Sequence, residues 1–535
     1  MATTDQSLSR GRCTALATLA ARYRLERSGS VGLLFALMFM LVMMIAGVAI
    51  DYGRTELEWQ RIQHAADSAA LAASHRLGTA DQDETGVAVA ERFFSANTGG
   101  RNYQKQIVLD ADRGEVRVVA AGSVGTSLLN AVGVRNMSIR ASSRVVKGDG
   151  TVEVALVLDN SGSMAGQPIA DLIAAAKSLS GVVMSGADNS DRASVAIVPF
   201  SGAVNVGAGN RDADWIDASG ASPLNGANFA SNVPRLEMFD RIGSTWRGCV
   251  EARSGSLDVT DAPADSSAPA TLFLPMFAPD EPDSNNSGGA SYANSYIADD
   301  GGACTPQPVV CVTYDRRGRC TKSQKSPLPP AEAQSRICKY EGAVVPLGDS
   351  GPNYMCDSEA ILPLSSNLSE IESTLSAMTA KGSTNIAEGV MWGWRVLSPG
   401  LPFAEGRTYD SPKNDKIMVV MTDGANTYSA SSNHNKSWYA AHGYGASGRL
   451  GTTFSSSAYV SRMNQKTTTA CANAKAAGVK IYTIAFRLES DPTTLALLQS
   501  CASEASMAFR AADGAALVTV FEHIGGQISK LRVAG

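Results

Sequence analysis

The stretch Val154-Ala155-Leu156-Val157-Leu158-Asp159-Asn160-Ser161-Gly162-Ser163-Met164 carries the clearest structural signal in this chain of 535 residues. Its first five residues are apolar, which predicts a buried strand in a sheet that is covered on both faces. Asp159, Ser161 and Ser163 then occupy alternate positions where the strand should end. A carboxylate and two hydroxyls are hard oxygen ligands of the kind that Mg²⁺ prefers. Taken alone, the triplet is equally compatible with a helix N-cap.

Two later segments carry oxygen-bearing side chains in similar settings. Ile417-Met418-Val419-Val420-Met421 predicts a second buried strand, and Thr422-Asp423-Gly424 follows it. Lys381-Gly382-Ser383-Thr384-Asn385-Ile386 directly precedes a helical pattern. Strands that alternate with helices predict a mostly parallel sheet, in which ligands bind beyond the carboxyl ends of the strands. Asp159 and Asp423 should therefore lie at one edge of the sheet, and Thr384 can reach that edge from a loop.

These three segments together resemble the metal-ion-dependent adhesion site of von Willebrand factor A domains. The resemblance implies an α/β fold with a doubly wound, mostly parallel, Rossmann-like sheet. It also implies one bound Mg²⁺, or another divalent cation such as Mn²⁺ or Ca²⁺, with an open position for an acidic residue of a protein ligand. Metal-dependent adhesion, and not enzymatic activity, is the function expected from it. The five ligands that it implies are Asp159, Ser161, Ser163, Thr384 and Asp423.

One long apolar run, Val31 to Ile50, is near the length needed to cross a bilayer. The positive-inside bias places the N-terminus in the cytoplasm and the rest of the chain outside. Acidic residues follow the run at Asp51, Glu56 and Glu58, and arginines precede it at Arg10, Arg12, Arg22, Arg24 and Arg27.

The segment around this run resembles the N-terminal part of TadG/TadE-like proteins of the tight-adherence (Flp) pilus assembly systems. The resemblance rests on Arg27-Ser28-Gly29-Ser30-Val31-Gly32, on Asp51-Tyr52-Gly53-Arg54, and on the alanine-rich stretch from Gln63 to Ala73. Strand patterns at 106–109, 115–121 and 137–146 then predict a small sheet, which gives a pilin-like outline. The chain differs from type IV pilins in lacking the Glu that follows the peptidase cleavage site in those proteins.

Composition narrows the functional classes. The net charge is −5, so nothing indicates a nucleic-acid ligand, and the five histidines include no His-Glu-x-x-His zinc motif. Eight cysteines follow the apolar run, an even number that favours disulfides over free or metal-binding thiols outside the cytoplasm. Cys471 and Cys501 fall on two consecutive predicted helices, so a bridge between them is expected.

The expected organisation has four parts. Residues 1–27 form a cytoplasmic tail, 28–80 the transmembrane helix and its extension, 81–147 a small α+β region, and 151–535 the A-type domain. A Cys-rich insertion at about 201–355 interrupts the A-type domain. Because it is rich in Gly, Ser, Asn, Asp and Pro, this insertion is expected to bury little core and to depend on disulfides. In the polar loop 425–457, aromatic residues either face a partner or pack against the base of the loop.

The resulting hypothesis is a single-pass protein of a bacterial inner membrane, with a periplasmic domain that helps to build or anchor Flp pili. Its expected partners are membrane lipid, pilus assembly proteins and an acidic residue at the metal. A surface-exposed or secreted adhesin, a structural protein that has lost ligand binding, and a metal-dependent hydrolase are the alternatives. Gly348-Asp349-Ser350-Gly351-Pro352 looks like a trypsin-like nucleophile segment, but no histidine in a suitable context precedes it to act as the base.

Overall fold

A computed structural model describes residues 28–74, 82–110, 115–146, 150–185, 192–345 and 350–534. The contacts divide the chain into two compact units, with the division in sequence between residues 148 and 149. The expected cytoplasmic tail, residues 1–27, and the last part of the expected helical extension, residues 75–80, lie outside the described residues.

The first unit has two helices and one antiparallel sheet. Its elements are α1 (Ser28–Ser74), α2 (Gln82–Asn97), β1 (Gln104–Asp110), β2 (Glu115–Gly125) and β3 (Asn136–Val146), with β2 at the centre of the sheet. Within the described residues, α1 is the one helix long and apolar enough to cross a membrane, and its most apolar part has a mean hydropathy of 2.8.

The two halves of α1 have different surroundings because their sequences differ. From Val31 to Ile45 the large apolar side chains are exposed, which is compatible with a membrane span. Further along, small alanines allow α1 to approach α2 and the sheet closely; the buried ones are Ala65, Ala66, Ala69, Ala70 and Ala73. Between these halves, the buried carboxylate of Asp51 accepts the backbone N–H groups of Ser127, Leu128 and Leu129 at 2.8–3.0 Å.

The second unit contains the long strands that the sequence predicts. Its elements before residue 345 are β4 (Thr151–Asp159), α3 (Gln167–Ser185), β5 (Ala193–Phe200), β6 (Val204–Asn205), α4 (Arg235–Arg241), β7 (Cys249–Val250), β8 (Val309–Tyr314), β9 (Cys320–Lys325) and α5 (Pro330–Ser335). The later elements are β10 (Leu362–Ser365), α6 (Leu368–Ala377), α7 (Ile386–Leu397), β11 (Asn414–Thr422), α8 (Ser456–Ala476), β12 (Lys480–Phe486), α9 (Pro492–Cys501), β13 (Ala508–Ala511) and α10 (Gly514–Ala534).

The main sheet is mixed and has six strands in the order β10-β5-β4-β11-β12-β13. Four neighbouring pairs are parallel, and the edge strand β10 runs antiparallel to β5. The chain leaves β4 toward β5 on one side and later returns to β11 on the other side. The strand order therefore reverses at β4, and a crevice at the carboxyl ends of β4 and β11 follows from this reversal.

Helices cover both faces of this sheet, as the apolar runs of its strands require. Alternate side chains of β4 belong to different cores, because successive residues of a strand point to opposite faces. Val154, Leu156 and Leu158 pack with residues of α3, α6 and α10. Ala155 and Val157 pack with residues of α7, α8 and α9.

The expectation that the insertion buries little core is wrong. Between residues 201 and 355, large aromatic residues join the same core that covers the α7 face of the sheet; they are Trp215, Phe239, Trp246, Phe273, Phe277 and Tyr340. The rings of Phe273 and Trp392 of α7 lie 4.9 Å apart. The sequence did not indicate this core because the segment is rich in Gly and Ser and its aromatic residues follow neither a strand nor a helix period. In the folded chain these residues nevertheless pack together.

The eight cysteines beyond α1 form four disulfides, as their even number predicts. The expected bridge between Cys471 and Cys501 joins α8 to α9. Three further bridges lie in or beside the insertion, pairing Cys249 with Cys356, Cys304 with Cys338, and Cys311 with Cys320.

Candidate metal site

Asp159 anchors the candidate site at the carboxyl end of β4. Its side chain is fully buried, and its two oxygens have different partners. The backbone N–H of Ser161 donates to Oδ1 at 2.8 Å, and the hydroxyl of Thr422 donates to Oδ2 at 2.5 Å. Thr422 is the last residue of β11, so Asp159 links the ends of the two central strands.

Ser163 connects the loop after β4 to the second carboxylate. Its hydroxyl donates to Asp423 Oδ1 at 2.6 Å and lies 3.1 Å from the hydroxyl of Ser161. Asp423 directly follows β11, as the sequence predicts. Four of the five predicted side chains therefore form one chain of polar contacts at this edge of the sheet.

The loop before α7 brings Thr384 to the same place. The N–H of Gly162 donates to the carbonyl of Gly382 at 2.9 Å, which holds this loop against the loop after β4. A Cβ atom added to Gly424 would lie 3.8 Å from both the Ser163 and the Thr384 hydroxyl oxygens. The structure thus brings Asp159, Ser161, Ser163, Thr384 and Asp423 together, and none of them lies elsewhere.

Sequence analysis missed the residues that hold these loops in place. Thr384 exchanges two hydrogen bonds with Thr427, donating its N–H to the Thr427 hydroxyl at 2.8 Å and accepting the Thr427 N–H at 2.9 Å. The side chain of Asn426 accepts the N–H of Ile386 at 2.8 Å, at the start of α7. Both residues lie within four positions of Asp423 in the sequence, and this proximity was the one feature that could have identified them as neighbours of the site.

Burial and mutual repulsion act on the two carboxylates. Burial raises the pKa of Asp159 to about 6, and the nearby Asp423 contributes to this rise. Burial also raises the pKa of Asp423. In the described part of the chain no ion pair neutralises either group, although Arg487 acts on Asp423 from a distance. When both carboxylates are ionised at this buried edge of the sheet, a bound cation would offset their repulsion and their loss of hydration.

The donor set suits a hard dication. It comprises two carboxylates and three hydroxyls, which are oxygen ligands of the type that Mg²⁺ takes together with water. Among the described residues, no group of three or more His, Cys, Asp or Glu side chains forms a metal cluster. Any ion here would therefore depend on the hydroxyls as well as on Asp159 and Asp423, and the residues present fit Mg²⁺.

Most of the aromatic residues that the sequence places in loop 425–457 are buried. Tyr428, Tyr439 and Tyr444 are buried, whereas Trp438 is 47% exposed and Phe454 is 43% exposed. The three tyrosines therefore do not face outward, and Tyr439 and Tyr444 pack with residues of the insertion.

For a Mg²⁺ ion at this candidate site, the raised pKa of Asp159 predicts that binding would depend on pH. In the cation-free protein, a carboxyl whose pKa is raised to about 6 by folding destabilises the folded state above pH 6. This destabilisation is relieved as the pH falls through about 6 and the carboxyl takes up a proton. Mg²⁺ must displace the proton at low pH, so we expect its affinity to fall about tenfold per unit of pH below 6. Thermal melting with and without MgCl₂, at pH 7.5 and pH 5 and matched ionic strength, measures this. An equal Mg²⁺-induced shift at both pH values would contradict it.

Comparison with known families concerns the first unit. Residues 29–82 match the family described as "Putative Flp pilus-assembly TadE/G-like". This agrees with the resemblance seen around α1. No curated protein matches the chain.

Solved structures with some likeness to the chain include pilus proteins, all with low similarity. The pilus adhesin SpaC from Lactobacillus rhamnosus GG has a TM-score of 0.34 and 11% identity, over 80% of this chain and 34% of its own. The von Willebrand factor domain of the type V pili tip protein Mfa5 from Porphyromonas gingivalis has a TM-score of 0.31 and 10% identity, over 71% of this chain and 96% of its own. The pilus adhesin RrgA from Streptococcus pneumoniae has a TM-score of 0.33 and 10% identity, over 79% of this chain and 49% of its own. The chain thus spans about a third of SpaC and about half of RrgA.

Proposed function

We propose that the second unit is a doubly wound von Willebrand factor A domain that binds Mg²⁺ through Asp159, Ser161, Ser163, Thr384 and Asp423. One observation carries the proposal: the Ser163 hydroxyl lies 2.6 Å from Asp423 and 3.1 Å from the Ser161 hydroxyl, although 260 residues separate Ser163 from Asp423. This contact joins the two strand ends at which the strand order reverses.

The bound cation would bind an acidic side chain of a protein partner. Two aspartates only neutralise a dication, and Mg²⁺ in proteins usually keeps positions for water or for ligand oxygens. A carboxylate from outside can therefore replace a water at the ion. We infer binding and not catalysis, because the five residues resemble a metal-ion-dependent adhesion site, whose open position takes an acidic residue of a protein ligand.

The same protein would act in the assembly or anchoring of Flp-type pili. The match of residues 29–82 to the pilus-assembly family and the apolar length of α1 support this role. In this proposal α1 spans the inner membrane once, the N-terminus is cytoplasmic, and the metal-binding unit is periplasmic. The partner that supplies the acidic residue is then another pilus assembly protein.

The test is a chromosomal double variant, Asp159→Ala with Asp423→Ala, in the bacterium that makes the protein. We expect loss of pilus display and of adherence at an unchanged protein level. Asp410→Ala, which changes an exposed aspartate, is the control and should behave as the wild type. Normal piliation of the double variant would refute a functional metal site. Cell fractionation separates the alternative, because recovery at the cell surface or in the medium would favour a surface adhesin.

A further inference from the structure

A mostly apolar cavity of about 220 Å³ opens beside the candidate metal site. Its wall combines three parts of the second unit. Met355 comes from the end of the insertion, Gly382 and Ser383 from the loop before α7, and the remaining residues, among them Thr427, Tyr428 and Trp438, from the loop after β11. The cavity is open on one side and is a concave surface next to the proposed cation.

The cavity and the metal site share their framework. Ser383 lines the cavity and directly precedes Thr384, and Thr427 lines it while exchanging two hydrogen bonds with Thr384. Gly382 is also part of the wall, and its carbonyl accepts the N–H of Gly162, which stands between Ser161 and Ser163 in the sequence. A partner whose carboxylate reaches the cation would therefore place its next residues over this cavity.

The walls differ in how firmly they are held. Tyr428 is buried and donates its hydroxyl to the carbonyl of Gly443, and Tyr439 is buried and donates to Glu251. Trp438 has its backbone fixed by a hydrogen bond from its N–H to the carbonyl of Ser429 at 3.0 Å, but its side chain is half-exposed. A half-exposed Trp at the rim of an apolar concavity is typical of the residues that dominate protein interfaces.

We propose that this cavity binds one aromatic side chain of the partner, that of the residue directly after the acidic residue that reaches the cation. The inference rests on the proposed function and specifies the partner's chemistry. A cavity of about 150 Å³ accommodates benzene. At 220 Å³, this cavity has room for one such side chain. An extended chain advances about 3.3 Å per residue. The residue after the acidic one therefore stays close to the cavity wall at Ser383, which is bonded directly to Thr384 of the candidate metal site.

The experiment uses the full-length protein in detergent with MgCl₂ at about 5 mM, an excess that favours the cation-bound state by mass action. Two blocked hexapeptides are compared, Gly-Gly-Asp-Phe-Gly-Gly and Gly-Gly-Asp-Gly-Gly-Gly. We expect the peptide with Phe to bind about tenfold more tightly, as burial of one ring predicts. Trp438→Ala should remove most of this preference and leave the weaker Asp-Gly binding unchanged. Phe454→Ala is the matched control, because it truncates a similarly exposed aromatic side chain of the same loop that does not line the cavity.

The outcomes separate this inference from the proposed function. Equal affinities of the two peptides for the wild type, each dependent on Mg²⁺, would overturn the inference alone. A preference for Phe that survives Trp438→Ala, or that is lost equally in Phe454→Ala, would also overturn it. If neither peptide shows Mg²⁺-dependent binding, both the proposed function and the inference fail.

Discussion

Asp423→Ala should lower the affinity of the protein for Mg²⁺ by about 100-fold or more, since even partners that only orient metal ligands are worth about 10–100-fold. The substitution removes one of two carboxylates from the donor set. It also takes away the acceptor of the Ser163 hydroxyl, which then loses its fixed direction. Isothermal titration of the full-length protein with MgCl₂ at pH 7.5 measures the change.

Asp415→Ala is the matched control for this prediction. Asp415 lies near the start of the same strand, β11, where it forms an ion pair with Lys480 at 2.7 Å. Its removal takes the same charge from the protein but leaves the metal site intact, so the Mg²⁺ affinity should change by less than about twofold, as expected of a screened and distant charge. If the two variants bind Mg²⁺ equally well, Asp423 is not a ligand.

Lys339→Met should destabilise the second unit by about 3–5 kcal/mol, the usual cost of removing one partner from a buried ion pair. The Lys339 ammonium is fully buried and lies 2.7 Å from Asp280 and 3.2 Å from Asp299. It also donates to the carbonyl of Ala333 at 2.9 Å. Methionine retains the volume of the side chain but leaves two buried carboxylates without their cation. A fall in melting temperature of about 5 °C is the expected readout for a unit of this length.

Two comparisons make this prediction specific. Lys325→Met breaks a half-exposed ion pair with Asp300 in the same insertion and should cost less than about 1 kcal/mol. Acid pH should reduce the defect of Lys339→Met, because burial already raises the pKa of Asp280 to about 6 and its carboxyl becomes neutral below that value. A melting temperature that Lys339→Met leaves unchanged would mean that the insertion does not depend on this buried cluster.

The sequence alone predicted the elements that carry the candidate site. β4 and β11 each contain a continuous apolar run; Asp159 is the last residue of β4 and Asp423 directly follows β11. Both the strands and the side chains at their ends therefore follow from local pattern. Thr384 was identified because Gly382-Ser383-Thr384-Asn385, just before a helical pattern, resembles the threonine loop of von Willebrand factor A domains. These signals are short in sequence and do not depend on the rest of the chain.

The insertion could not be predicted in the same way. Its core depends on contacts between residues far apart in sequence, such as Phe273 with Trp392. Its buried ions, Asp280, Asp299 and Lys339, are individually indistinguishable from surface charges in a polar stretch. Composition and periodicity carry no pairing information for this stretch, so the partners of the insertion's own cysteines and the cavity beside Met355 appear only in three dimensions.

Anomalous scattering from crystals grown with MnCl₂ is the most direct test of the metal site, since Mn²⁺ accepts the same oxygen ligands as Mg²⁺. We predict one strong peak between Asp159 and Asp423, within about 2.0–2.3 Å of ligand oxygens that include those of Ser161 and Ser163. Crystals at saturating Mn²⁺ that show no peak at this edge of the sheet, or a peak elsewhere only, would contradict the account.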